Sequence, residues 1–122
     1  LLLAVLGLAT PLKAGGLEDY HEAGLYLMEL DFFDEAPNRK EADWLIMLYS
    51  RAIESGELTY HQLSDAYYDR GWVFETQGMR ESALSDYRRV VARGPAPFSD
   101  KPKSWDPYKA VMGDLERLGV SP

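Results

Sequence analysis

The chain has 122 residues, enough for one domain with a modest core and too few for a large catalytic architecture. With 46% hydrophobic and 27% charged residues, its composition is that of a globular protein and not of a disordered one. The net charge of -7 is concentrated in the front half: residues 17 to 69 hold thirteen Asp or Glu against three Lys or Arg, and residues 70 to 122 hold seven against nine, which speaks against nucleic acid as a ligand because phosphate binding needs a dense basic face.

Leu1 to Leu12 is an apolar stretch followed by Lys13, Ala14 and the Gly15-Gly16 pair. It reads as the remnant of a secretory signal (residues 1-14), with cleavage expected after Ala14 or Ala9 and a periplasmic or secreted location for the rest. Two other readings stay open: an uncleaved membrane anchor, and an apolar first helix packed in the core. Absence of cysteine excludes lipoprotein anchoring, disulfides, thiolate metal sites and a cysteine nucleophile.

From Leu17 to about Phe33, Leu17, Tyr20, Gly24, Leu27, Met28 and Phe32 recur at helical spacing and predict a first helix. Asn38, with Glu41 three residues on, predicts a capping box that starts a second helix over Arg39 to Ser55, with Trp44, Leu45, Met47, Leu48, Ala52 and Ile53 inward and Gly56 as its stop. Thr59 with Gln62 repeats that signal for a third helix ending near Gln77. After Gly78 a fourth helix follows from Arg80 to Arg93, with Ala83, Leu84, Tyr87, Val90 and Val91 as its apolar stripe and Gly94-Pro95-Ala96-Pro97 as a firm stop. Arg80, Arg88, Arg89 and Arg93 form its solvated basic face. Asp106-Pro107 supplies the N-cap and first residue of a last helix closed by Gly119. No segment alternates apolar and polar residues, so the expected class is all-α: about five helices in antiparallel hairpins.

Residues 67 to 95 carry small and aromatic residues at fixed offsets: Tyr67-x2-Arg70-Gly71-x2-Phe74, then Gly78, Ala83-x3-Tyr87 and Pro95. This run resembles one tetratricopeptide repeat, whose pattern is W-x2-L-G-x2-Y, A-x3-F and P. Arg70 departs from it, standing where the family has an apolar residue. The physical sense of the slots is that two helices approach closely where one lacks a side chain and the other carries a methyl, which marks Gly71 and Ala83 as the crossing, with Tyr67, Phe74 and Tyr87 filling the space beside it. The resemblance divides the domain, 17-122, into a degenerate repeat (17-56, with Leu45-x3-Tyr49-x2-Ala52 as its second-helix signature), a clear repeat (60-95) and a capping helix (106-119).

Catalytic and cofactor signals are missing. His21-Glu22 starts a zinc-helix pattern, but Leu25 stands where the second His belongs. His61 has no acid or nucleophile beside it in the sequence, and Asp31, Asp34 and Glu35 lack the spacing of a calcium loop. No enzyme, metal or cofactor is expected. What the resemblance implies is protein interaction: the first helix of each repeat lines a concave groove that holds a peptide or a partner helix. On the third helix the groove positions are Asp65, Tyr68, Trp72, Glu75 and Thr76, an acidic and aromatic set suited to a basic or amphipathic segment, with Tyr68 and Trp72 as anchors. Two repeats and a closing helix fall below the three repeats that solenoids usually need, so the remaining stability is expected from the terminal helices, from self-association or from further chain. The alternative is a small accessory subunit packed into a larger cell-envelope complex.

Overall fold

The computed structural model describes residues 15–95 and 105–122. The signal-like stretch and the Ala96-Pro97 stop lie outside them. The described residues form five helices and no strand: α1 (Gly16–Phe32), α2 (Arg39–Ser55), α3 (Tyr60–Thr76), α4 (Arg80–Arg93) and α5 (Pro107–Leu118). None of these helices is long and apolar enough to cross a membrane.

The helix boundaries follow from local chemistry. Asn38 and Thr59 each accept a hydrogen bond from the backbone N–H three residues on, while Glu41 and Gln62 reach back to the capping residue's own N–H. Both reciprocal capping boxes therefore satisfy otherwise orphaned donors at a helix start. Asp106 accepts from the Tyr108 N–H, with Pro107 filling the first helical position. Gly56 and Gly119 close α2 and α5 in the left-handed conformation, where a side chain would be strained.

Sequential helices pack as neighbours, α1 on α2, α2 on α3, α3 on α4 and α4 on α5, and α5 also returns to α3. Two apolar clusters result. One joins Ala23, Ala42, Leu45, Leu48, Tyr49, Ala66 and Val73; the other joins Ala83, Leu84, Tyr87, Val90, Val111 and Leu115. Arg–carboxylate bridges pin the helix pairs. Arg51 holds Asp19 across α2 and α1 at 2.8 and 3.0 Å. Arg70 holds Asp86 across α3 and α4 at 2.8 and 2.7 Å and also donates to Ser50 Oγ of α2 at 2.9 Å. Arg117 of α5 holds Glu75 of α3 at 2.8 Å. Arg70 thus occupies an apolar slot of the repeat pattern because a buried carboxylate stands opposite it, and its guanidinium also lies 5.7 and 5.9 Å from the Tyr67 and Phe74 ring centroids.

Three details differ from the periodicity. Met47, expected inward, is exposed, whereas Ala42 and Tyr49 of the same helix are buried. Tyr49 can be buried because its hydroxyl donates to Asp69 at 2.9 Å, which satisfies the polar end of the ring. On α1 the residues packed inward are Gly16, Asp19, Ala23 and Leu30, while much of the predicted stripe faces outward: Met28 is 68% and Phe32 82% exposed. At the crossing, the atoms that crowd Gly71 belong to Tyr87 and Asp86, one helical turn beyond Ala83.

Helix direction places the site. Tyr20, early in α1, reaches Asp65, early in α3, and beyond the ends of both helices the Gln77 amide donates to the Pro37 carbonyl at 3.0 Å. These two helices therefore run parallel. So do α3 and α5, since Asp106 and Pro107 lie near His61 while Arg117 lies at Glu75. Helices α1, α3 and α5 form one layer, with α2 and α4 behind it.

Candidate binding cleft

Parallel α1 and α3 leave a cleft of about 830 Å³ between them. One wall comes from α3. Asp65, Tyr68, Asp69 and Trp72 fall three or four residues apart and so share one helical face. The other wall comes from α1, with Tyr20, Gly24, Leu25, Leu27 and Met28 along it and Asp31 towards its end. Trp105, just before α5, adds an indole that meets the Tyr68 ring edge-on at 5.3 Å and donates from Nε1 to Asp65 at 2.6 Å. His21 and His61 also line the cleft.

Of the five groove residues expected from the sequence, Asp65, Tyr68 and Trp72 line this cleft and Glu75 and Thr76 do not. The reason is α5. It packs beside α3 and takes up Glu75, which is bound by Arg117 and accepts from the Tyr87 hydroxyl at 2.8 Å. Arg117 and the Tyr87 hydroxyl hold the Glu75 carboxyl below its usual range against the opposing effect of burial. Thr76 Oγ1 turns back to the Val73 carbonyl of its own helix at 2.7 Å. Trp72 both lines the cleft and packs against the first apolar cluster.

The cleft is acidic without a matching cation. Asp31, Asp65 and Asp69 line it, while no Lys or Arg among the described residues does. Its carboxylates are instead met by neutral donors: Asp65 accepts from the Tyr20 hydroxyl at 2.8 Å and from Trp105, and Asp69 accepts from Tyr49. Burial raises the Asp69 pKa well above the carboxylate range, the Asp65 charge one turn away adds to this, and the Tyr49 hydrogen bond only partly opposes them. Burial likewise raises the Tyr20 and Tyr68 hydroxyls, each beside a carboxylate that it donates to. These phenols stay protonated as donors and are not poised as bases at neutral pH. Among the described residues no group of His, Cys, Asp and Glu is arranged to hold a metal ion.

Asp69 bears on stability as well as on the cleft. A carboxyl whose pKa is higher in the folded than in the unfolded chain destabilises the fold once pH rises above its unfolded value, because folding then opposes ionisation. Asp69→Asn keeps an acceptor for the Tyr49 hydroxyl and removes the ionisation. It is expected to stabilise the protein at pH 7 by about 1 kcal/mol. That gain should vanish as pH falls below the ordinary Asp value of about 4. Thermal melts of both proteins at the two pH values read this directly, and an unchanged or lowered melting temperature at pH 7 contradicts it.

Several cleft residues escaped the sequence reading. Tyr20, Gly24, Leu27 and Met28 are visible in the sequence as a helical stripe, but the stripe carries no sign that it lines a cleft. Asp69 is one turn from Asp65 on the same helix, a spacing that could have flagged it. Trp105 lies outside any periodic segment, and nothing local announces where its indole goes. Compared with family models, with curated proteins and with solved structures, the chain matches none.

Proposed function

We propose that this chain is a non-enzymatic protein-interaction module of tetratricopeptide type, and that the cleft between α1 and α3 holds a basic or amphipathic peptide or partner helix. The observation that carries this reading is that the cleft is lined by the first helix of each hairpin, with an acidic-aromatic wall facing an apolar one. Parallel α5 stands where the first helix of a third repeat would stand, which fits a closing helix. Tyr68 and Trp72 supply large, semi-rigid anchors, while Asp31 and Asp65 supply negative charge. A second reading, a subunit packed permanently into a larger cell-envelope complex, is favoured by Phe32 and Phe33, which are 82% and 61% exposed and stack edge-on at 5.1 Å beyond the cleft.

The test uses α1, because Leu25 and Met28 line the cleft yet are 66% and 68% exposed, so changing them should not disturb the core. Met28→Glu is expected to weaken capture of a partner from the cell envelope by tenfold or more, about 1.4 kcal/mol, with an unchanged melting temperature. Phe33→Ser is the counterpart for the second reading. Calorimetry on the captured partner separates them: loss with Met28→Glu alone supports the cleft, loss with Phe33→Ser alone supports the packed subunit. Cleft binding should also weaken with added salt, since exposed charges are screened over about 10 Å at 0.1 M.

A further inference from the structure

The two walls of the cleft differ in a way that specifies what enters it. The α3 wall holds Asp65 and Asp69 one turn apart, and the α1 wall is a ridge of Leu25, Leu27 and Met28. Given that the cleft receives a partner segment, which is the reading above, we infer that this segment is an amphipathic helix that seats one lysine ammonium between Asp65 and Asp69.

The choice of cation follows from which carboxylate oxygens are taken. Tyr20 and Trp105 each donate to a different oxygen of Asp65, and Tyr49 donates to Oδ2 of Asp69. A guanidinium binds best as a fork onto both oxygens of one carboxylate, and here a fork on either residue would have to share an oxygen with a donor already in place. An ammonium is a compact point charge with three donors that can point at different groups. It can bridge two carboxylates that lie on one helical face, using the remaining lone pairs of each. The rings of Tyr20, Tyr68 and Trp72 line the same space and suit the four-carbon stem of lysine.

The source of the ammonium follows from the opposite wall. A free polyamine would leave Leu25 and Met28 in water, whereas an amphipathic helix covers them with its apolar residues while its lysine reaches α3. The raised pKa of Asp69 fits the same picture, because a bound cation would favour the ionised carboxylate that burial disfavours. Keeping an ionisable group at a position where it destabilises the fold is what a binding site does when function competes with stability.

The experiment titrates the full chain with a designed amphipathic helical peptide carrying one central lysine, and with its arginine, norleucine and Nε-trimethyllysine versions, following fluorescence of Trp72 and Trp105. The lysine peptide is expected to bind tenfold or more tighter than the norleucine and trimethyllysine versions and several-fold tighter than the arginine one. Asp69→Asn should cut the preference for lysine over norleucine several-fold, with circular dichroism showing an intact fold, and an undiminished preference would overturn the seat. Equal affinities for lysine and norleucine would overturn the lysine seat and leave the cleft reading standing. A trimethyllysine peptide that binds as well as lysine would overturn the donor argument. Spermidine binding as tightly as the lysine peptide would overturn the partner helix as its source. If no version binds, the cleft reading fails and the inference fails with it.

Discussion

Asp86→Ala is expected to destabilise the fold by about 3–5 kcal/mol, the cost typical of removing one partner of a buried ion pair. Asp86 and Arg70 have side-chain exposures of 3% and 18%. Removing the carboxylate strands a guanidinium whose remaining hydrogen bond among the described residues is to the Ser50 hydroxyl. The loss comes from the uncompensated charge and not from the intrinsic strength of the pair. Hence the double variant Arg70→Leu/Asp86→Ala should recover most of the stability, restoring at position 70 the kind of residue that the repeat pattern has there. Urea unfolding of the wild type, the single variant and the double variant checks both parts. A single variant within about 1 kcal/mol of wild type would remove the bridge from the stabilising set.

This pair also shows where the sequence stops being readable. The helices themselves were legible because their signals are local: the Asn38 and Thr59 capping boxes, the Asp106-Pro107 start and the Gly56 and Gly119 stops all act within one turn of the residue that carries them. Arg70 was visible as an oddity. Its partner was not, because Asp86 lies on another helix, and only tertiary packing turns one polar residue of an apolar stripe into a buried acceptor.

The cleft divides along the same line. Asp65, Tyr68 and Trp72 share a helical face, which periodicity reveals. Glu75 and Thr76 continue that face, yet Glu75 is taken up by Arg117 of α5, whose docking against α3 has no signature in the sequence of α3. The α1 stripe shows the converse limit. Apolar periodicity identifies a face to be covered but does not say by what, and the described chain leaves Met28 and Phe32 of that stripe largely exposed.

Gly71→Ala is expected to destabilise by about 1–3 kcal/mol through overpacking, against the usual gain of about 0.5–1 kcal/mol when alanine replaces glycine inside a helix. A Cβ at position 71 would stand 2.7 and 2.8 Å from Cε1 and Cδ1 of Tyr87 and 3.2 Å from Cβ of Asp86. The Tyr87 ring has little freedom to withdraw. It is fully buried, stacks on Tyr68 at 5.7 Å and donates its hydroxyl to Glu75, which Arg117 holds from α5. Displacing the ring therefore loosens α3 from α4 and disturbs the carboxylate that joins α3 to α5. Gly113 is the control, since it sits within α5 with nothing within 4 Å of its added Cβ. Gly113→Ala should show the ordinary gain of about 0.5–1 kcal/mol. The two alanine substitutions should thus move the melting temperature in opposite directions, and a rise in both would mean that α3 and α4 do not approach closely at Gly71.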